Sequence, residues 1–339
     1  MSSPTPFKTY RLMIIFLVLC VAMFFINLHH TLVSKKAKTL LANIRFGSSM
    51  VEFNTSTHPI SICPGTMART DYAFVSMLSA HFYEYGLSAT KLGHTLRRHS
   101  NLDLIMFEIS TNRIPAKTRD LLKRSGWNIC TVQPINGPTA IPKNTNRFLQ
   151  ASVYSKFHAW NLVEYKAIAL IDIDMLAVQN PSDLFTSHLP KMLSENKTLG
   201  AVREHPLQDC YGNGATNTFN AGMLLIVPSQ KNFVHIISSI DIFPHNSAFD
   251  AEQALLNAMF KHAMYELPVS YNALTLIKSC EPELWYSHHH HFKMIHYTVT
   301  KPWTYAIKWE NIQDPFMCWF WKVEEYCLLW DLIDEYYGI

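Results

Sequence analysis

The chain has 339 residues, of which 48% are hydrophobic and only 16% charged, with a formal net charge of +3. Average globular chains carry roughly 25% charged residues, so this one is poor in charge, and its 13% aromatic content supplies a core rather than a disordered coil. Interspersed acids and bases give no compositional case for nucleic-acid binding, and no repeat of about 20–50 residues points to a solenoid or propeller.

Leu12 to Ile26 is uninterrupted apolar sequence, and Leu28 extends the run past Asn27 to 17 positions. As a helix it would span roughly 25 Å, a little short of a mean bilayer and suited to the thinner membranes of the early secretory pathway. The run exceeds the roughly 7–15 residues of a signal-peptide core, and Asn27-Leu28-His29-His30-Thr31-Leu32 offers no clear small-x-small cleavage site. It therefore reads as an uncleaved anchor. Lys8 and Arg11 precede it and Lys35, Lys36 and Lys38 follow it, so charge counting does not orient it. Sequons at Asn54 and Asn196 and six cysteines outside the run (Cys63, Cys130, Cys210, Cys280, Cys318, Cys327) fit a luminal body; the same cysteines also fit reduced core positions. Residues 29–70, small and polar without a period, read as a stem.

From Asp71 the pattern changes. Tyr72–Leu78 reads as a buried strand, 84–99 as a helix ending in Arg97, Arg98 and His99, and Leu102–Ile109 as a second strand. A helix over Lys117–Ser125 is stopped by Gly126, and a third strand runs from Asn128 to Val132. Residues 134–146 form a loop rich in Pro and Asn. A helix over Phe148–Glu164 then leads into a strand at Ala167–Ile171. Strands alternating with helices predict an α/β domain with a mostly parallel sheet, whose ligands bind beyond the carboxyl ends of the strands.

The last of these strands runs into Asp172-Ile173-Asp174. Alternation along a strand puts residues i and i+2 on one face, so both carboxylates converge while Ile173 turns back to the core. Two close carboxylates repel unless a cation lies between them, and Mg²⁺ or Mn²⁺ would leave positions for phosphate oxygens. Taken alone, the tripeptide equally suits a solvated strand end with two unrelated aspartates. It is not a calcium loop of the helix–loop–helix kind, whose sixth position needs the glycine that is Ala177 here. It also resembles the nucleophile motif of haloacid-dehalogenase phosphatases, although Leu176 stands where those have Thr or Val. The Gly212-Asn213-Gly214 segment is a weak dinucleotide-loop lookalike without a third glycine.

The surroundings carry more. Tyr154-Ser155-Lys156-Phe157-His158-Ala159-Trp160, the strand into Asp172-Ile173-Asp174, and Asn180-Pro181-Ser182-Asp183-Leu184-Phe185 resemble the glycogenin-like family 8 glycosyltransferases. Phe219-Asn220-Ala221-Gly222, Glu252-Gln253-Ala254-Leu255-Leu256-Asn257, Leu267-Pro268 with Tyr271-Asn272, and Ile295-His296 leading to Lys301-Pro302-Trp303 follow in the family's order. The resemblance covers about 71–305. It implies a single GT-A-type α/β domain with a Rossmann-like sheet, binding a UDP-sugar through Mn²⁺ (or Mg²⁺) and transferring a hexose with retention to a glycan, glycoprotein, glycolipid or polysaccharide.

Carried over by position, Asp172, Asp174 and His296 would be the metal ligands, with Ile173 between the carboxylates. Lys301 would meet the diphosphate and stabilise charge on the leaving UDP. Arg147 and Lys156 would flank the donor, or else be ordinary helix-surface charge. Tyr83 would lie against the uracil ring with Ser79 near its polar edge. Asn220, Asp250, Glu252 and Gln253 would surround the transferred sugar, with Glu252 standing where the family usually has Asp and Ala80 where it often has a polar residue. The expected layout is then a cytoplasmic tail (1–11), a transmembrane anchor (12–28), a stem (29–70), the transferase domain (71–305) and an amphipathic extension (306–339). That describes a single-pass Golgi or endoplasmic-reticulum protein with a luminal catalytic domain.

Neither sugar nor acceptor is readable, and no self-glucosylated tyrosine can be named; Tyr305, Tyr326, Tyr336 and Tyr337 read as packing. His288–His291 reads as a surface loop rather than a second metal site. Cys318 and Cys327, nine apart, would face different turns of one helix and not pair. Two other classes stay open at this level: a non-catalytic sugar-nucleotide or glycan-binding protein of the same fold, and a phosphatase.

Overall fold

A computed structural model describes residues 69–79, 83–138, 152–204, 218–243, 251–298 and 301. The chain divides into two units, Met1–His58 and Pro59–Ile339, and all described residues belong to the second. The expected anchor, stem and C-terminal extension lie outside the described residues, apart from the last two stem positions. Among the described residues no helix is long and apolar enough to cross a membrane.

β1 (Tyr72–Leu78), β2 (Asp103–Ile109), β3 (Asn128–Val132) and β4 (Ala167–Ile171) are parallel, as the strand–helix alternation predicts. β6 (Leu199–Arg203), β7 (Phe219–Ile226) and β8 (Tyr265–Glu266) extend them to a sheet ordered β3-β2-β1-β4-β7-β6-β8, with β7 antiparallel to both its neighbours. Both faces are covered, which is why the parallel strands read as apolar runs. Ala73, Val75 and Met77 of β1 enter one core cluster while Phe74 and Leu78 enter the other. α1 (Tyr83–His99) packs Ala89, Leu92 and Leu96 on the second face, and α2 (Ala116–Arg124) adds Leu122. A small sheet of β5 (Met175–Ala177), β9 (Ala273–Leu274) and β10 (Met294–His296), ordered β5-β10-β9, lies past the end of β4.

One element departs from expectation. In place of a regular helix over Phe148–Glu164, the described part is a 3₁₀ helix from Ser152 to Asn161. Every side chain from Tyr154 to Trp160 is buried, so no one-sided apolar stripe selects the 3.6-residue period. Leu162 and Tyr165 then donate to the carbonyls three residues back, the tighter winding suited to a short segment enclosed on all sides.

Candidate functional site

β4 ends at Ile171 and β5 begins at Met175, so Asp172-Ile173-Asp174 is the turn between the two sheets rather than strand. The carboxylates converge, but by a pinned turn rather than by alternation. The β1–β4 ladder stops at Val75–Leu170, and there the Ser76 hydroxyl, alone among apolar neighbours, donates to Ile171 O at 2.8 Å. Asp172 N donates to Gly222 O (2.8 Å), Ser88 Oγ to Ile173 O (2.7 Å), and Tyr297 N to Asp174 O (2.9 Å). Four hydrogen bonds, to β1, β7, α1 and the residue after β10, thus fix the backbone before any ligand arrives, and Ile173 packs against the core as expected.

Asp172, Asp174 and His296 come together with their ligand atoms within 4.8 Å of one another. His296, 3% exposed at the end of β10, holds Nε2 at 3.3 Å from Asp174 Oδ1 and 4.0 Å from Asp172 Oδ2. Its tautomer follows from a relay. Gly222 N can only donate, and it donates to Asn220 Oδ1 at 2.9 Å. That oxygen also accepts from Asn272 Nδ2 at 2.9 Å, which turns Asn272 Oδ1 onto His296 Nδ1 at 2.8 Å. An amide oxygen only accepts, so Nδ1 carries a proton and Nε2 is the ring nitrogen that faces the two carboxylates. Two carboxylates converging on one imidazole nitrogen call for positive charge between them, which a bound metal ion would supply. Two hard carboxylate oxygens with one imidazole nitrogen suit Mn²⁺, and the residues present fit such an ion. Gly222 makes the closeness possible: a Cβ there would lie 2.1 Å from His296 Cε1.

Each aspartate gives its other oxygen to a lysine. Lys156 Nζ lies 2.9 Å from Asp172 Oδ1 and 2.6 Å from Glu252 Oε1, while Lys301 pairs with Asp174 Oδ2 and donates to Tyr297 O and Thr298 O at 2.7 Å. Burial alone would lower the Lys156 pKa, but Asp172 and Glu252 outweigh it and raise it. Burial alone would raise that of Asp174, and the charges and hydrogen bonds of His296 and Lys301 hold it far below the ordinary carboxylate range. Lys156 is therefore no helix-surface charge; it is 6% exposed and ties the Asp172–Asp174 turn to α3 (Ala251–Phe260). Next to Glu252 on that helix, Gln253 accepts from Ala221 N at 2.8 Å and donates to Glu204 Oε1 at 3.1 Å.

The remaining expected residues divide. Asn220 lies in the relay just described. Ser79 follows the carboxyl end of β1, on the expected edge, where its carbonyl accepts from Asn112 Nδ2 at 3.0 Å. Tyr83 opens α1, but its side chain lies outside the described residues, as do Arg147 and Asp250. The His288–His291 run is exposed, and among the described residues the Asp172–Asp174–His296 group is the one cluster able to hold a metal. Sequence reasoning gave no role to Gly222, Asn272, Ser88 or Glu204; the Phe219–Gly222 and Tyr271-Asn272 blocks were the available signal for the first two. Tyr85, near Ser88 on α1, has its phenol pKa raised by burial and then by Asp174, Glu84 and Asp172, which sets it beside the same acidic turn.

The model of glycosyl transferase family 8 matches residues 75–306. UDP-glucuronate:xylan alpha-glucuronosyltransferase 1 of Arabidopsis thaliana is 28% identical over 256 residues, 70% of this chain and 33% of its own length. Galactinol synthase 1 of Solanum lycopersicum is 26% identical over 263 residues, 73% of this chain and 78% of its own. The chain spans about a third of the length of the xylan glucuronosyltransferases it matches. Among solved structures, the apo form of the glycosyltransferase GlyE of Streptococcus pneumoniae superposes with a TM-score of 0.51 at 19% identity. That match covers 78% of this chain and 63% of GlyE and speaks to the fold.

Proposed function

The chain belongs to glycosyl transferase family 8 and is a glycosyltransferase, and from that premise we propose that it moves a hexose-type sugar from a UDP-sugar to a glycan or glycoconjugate, with retention and with Mn²⁺. The observation that carries the reading is the convergence of Asp172, Asp174 and Nε2 of His296 at the carboxyl end of β4. Family membership displaces the phosphatase alternative.

Asp172, Asp174 and His296 would hold the ion, which when bound would supply positive charge to the donor diphosphate. Lys301, whose ammonium now rests on Asp174 and two carbonyls, is the mobile cation that turns to the phosphate oxygen as the sugar–oxygen bond breaks and negative charge gathers there. Lys156 keeps Asp172 and Glu252 in fixed rotamers. Retention through a covalent adduct needs a free carboxylate at the anomeric carbon. Glu252 is bound to Lys156, and Glu204 accepts from Gln253 and from the Thr218 hydroxyl at 2.8 Å. Commitment of both carboxylates supports a front-face route, in which the departing phosphate oxygen takes the acceptor's proton. A glycosyl adduct trapped on Glu252 or Asp250 would overturn that route.

The proposed setting is the Golgi or endoplasmic-reticulum membrane, with residues 12–28 as anchor and the domain luminal. Its supports are the disulfide-bonded Cys130 and Cys280, which fit an oxidising compartment, and the exposed sequon asparagine Asn196 at φ 55° in the turn before β6. Loss of one glycan in Asn196→Gln, read as a gel shift, is the expected outcome; an unmodified Asn196 in secretory membranes speaks against that topology.

The test of the activity uses the detergent-solubilised full chain with a panel of UDP-sugars and follows UDP release with Mn²⁺ or with chelator. Release from one donor, abolished by the chelator and in Asp174→Asn, is expected. Release indifferent to both would sink the reading.

A further inference from the structure

A second charged cavity lies away from the site above. About 690 Å³ of space is lined by Arg69, Arg97, Asp103, Arg119, Lys123 and Trp127, with Asn101 and Asn128 among the other lining residues. Asp103 and Asn128 open β2 and β3, while Arg97 and Lys123 lie in the last turns of α1 and α2. The cavity therefore sits at the amino ends of the parallel strands, about 20 Å from the carboxyl ends by the rise of a seven-residue strand. Ligands of sheets like this one bind at the carboxyl ends, so nothing in the transfer reaction accounts for it.

Its charges do not balance. The one carboxylate in the lining, Asp103, already accepts from Arg69 N (2.8 Å), Thr70 N (3.2 Å) and the Tyr165 hydroxyl (3.2 Å). Arg119 is paired with Glu108. Arg97 spends its guanidinium on two neutral carbonyls, Leu102 O at 2.7 Å and Gly126 O at 3.2 Å. It lies so close over Gly126 (φ 99°) that a Cβ there would be 2.6 Å from Arg97 Nε. Arg69 and Lys123 have no ion-pair partner among the described residues. Burial lowers the Arg97 pKa; Asp103 opposes that and Arg69 adds to it, so the cavity holds its cations against their own repulsion.

We propose that this cavity is a binding site for a small phosphate-bearing molecule, with Arg69, Arg97 and Lys123 as its anion-binding groups. Guanidinium forks and an ammonium match phosphate oxygens, and an anion there supplies the missing negative charge. The volume falls in the roughly 300–1,000 Å³ range of small-molecule sites and exceeds what one phosphate fills. The rest of the ligand would meet the amides of Asn101 and Asn128.

The test titrates inorganic pyrophosphate into the full chain by calorimetry, at low salt and with chelator present. The same titration is run on the double variant Arg69→Gln/Lys123→Gln, whose exposed side chains leave the fold and UDP binding intact. One saturable site in the parent, weakened at least about tenfold in the variant while UDP binding with Mn²⁺ is unchanged, is the expected result. Absence of binding at millimolar pyrophosphate, equal affinity in both proteins, or displacement by UDP with Mn²⁺ would each overturn the proposal. Because UDP binding is read separately, failure here is distinguishable from failure of the transferase reading.

Discussion

Two acidic clusters flank β1 at its carboxyl end, and they are built on opposite plans. Glu108, on β2, is fully buried and saturated: Oε1 accepts from Arg113 Nε at 2.7 Å and Thr131 Oγ1 at 2.8 Å, Oε2 from Ile114 N at 3.1 Å and from Arg119. Burial alone would raise its pKa, and the bonds from Arg119, Thr131 and Ile114 N bring it below the ordinary value. Past the end of β4, Asp172 and Asp174 each keep one oxygen on a lysine and turn the other toward Nε2 of His296. Charge does not distinguish the two. What does is whether every lone pair has found a donor. Glu108 is closed and holds α2 and β3 to the sheet; the aspartates are open and wait for a cation.

The largest expected effect breaks the open cluster. Asp174→Asn should lower turnover by about 10³-fold and abolish Mn²⁺ binding in a calorimetric titration. Gly222→Ala, by pushing a methyl into the His296 ring, should weaken Mn²⁺ affinity by about 100-fold in a calorimetric titration. Glu108→Gln should do the reverse of both: a loss of about 2–3 kcal/mol in denaturant unfolding, with Mn²⁺ affinity unchanged at a permissive temperature. If Glu108→Gln weakened metal binding as much as Asp174→Asn, the distinction between closed and open clusters would fail. Asn272→Leu removes the acceptor that holds the Nδ1 proton and should cost about tenfold in Mn²⁺ affinity, with the fold intact by circular dichroism. Smallest is Ser88→Ala, about 1 kcal/mol through the freed Ile173 carbonyl, read as a loss of stability with only a slight change in kcat.

The parallel half of the sheet was readable because strands buried on both faces leave an unbroken apolar signature, as at β1, β2 and β4. The convergence of Asp172, Asp174 and His296 was readable from two short blocks, Asp172-Ile173-Asp174 and Ile295-His296, in the order of a known family. Less was visible where the information is non-local. The small sheet consists of strands of two and three residues, too short to show a period. The bond between Gln253 and Glu204 joins residues 49 apart, and the Asn272–Asn220 bond residues 52 apart. A serine in an apolar strand is an oddity in the sequence; only the end of the β1–β4 ladder shows why Ser76 is there.

His296 reaches the aspartates from the middle strand of a sheet whose own hydrogen bonds are few: β10 pairs with β5 over three residues and with β9 over two. An ion bound between residues 172, 174 and 296 is therefore also a cross-link, closing a long loop of chain with bonds that exist only in the folded protein. By mass action it stabilises the folded state in proportion to the logarithm of its free concentration, and the gain falls first on β10. Metal supply would set not only how fast the enzyme turns over but how long its C-terminal sheet survives proteolysis, so that a cell short of the ion would lose the protein as well as its activity.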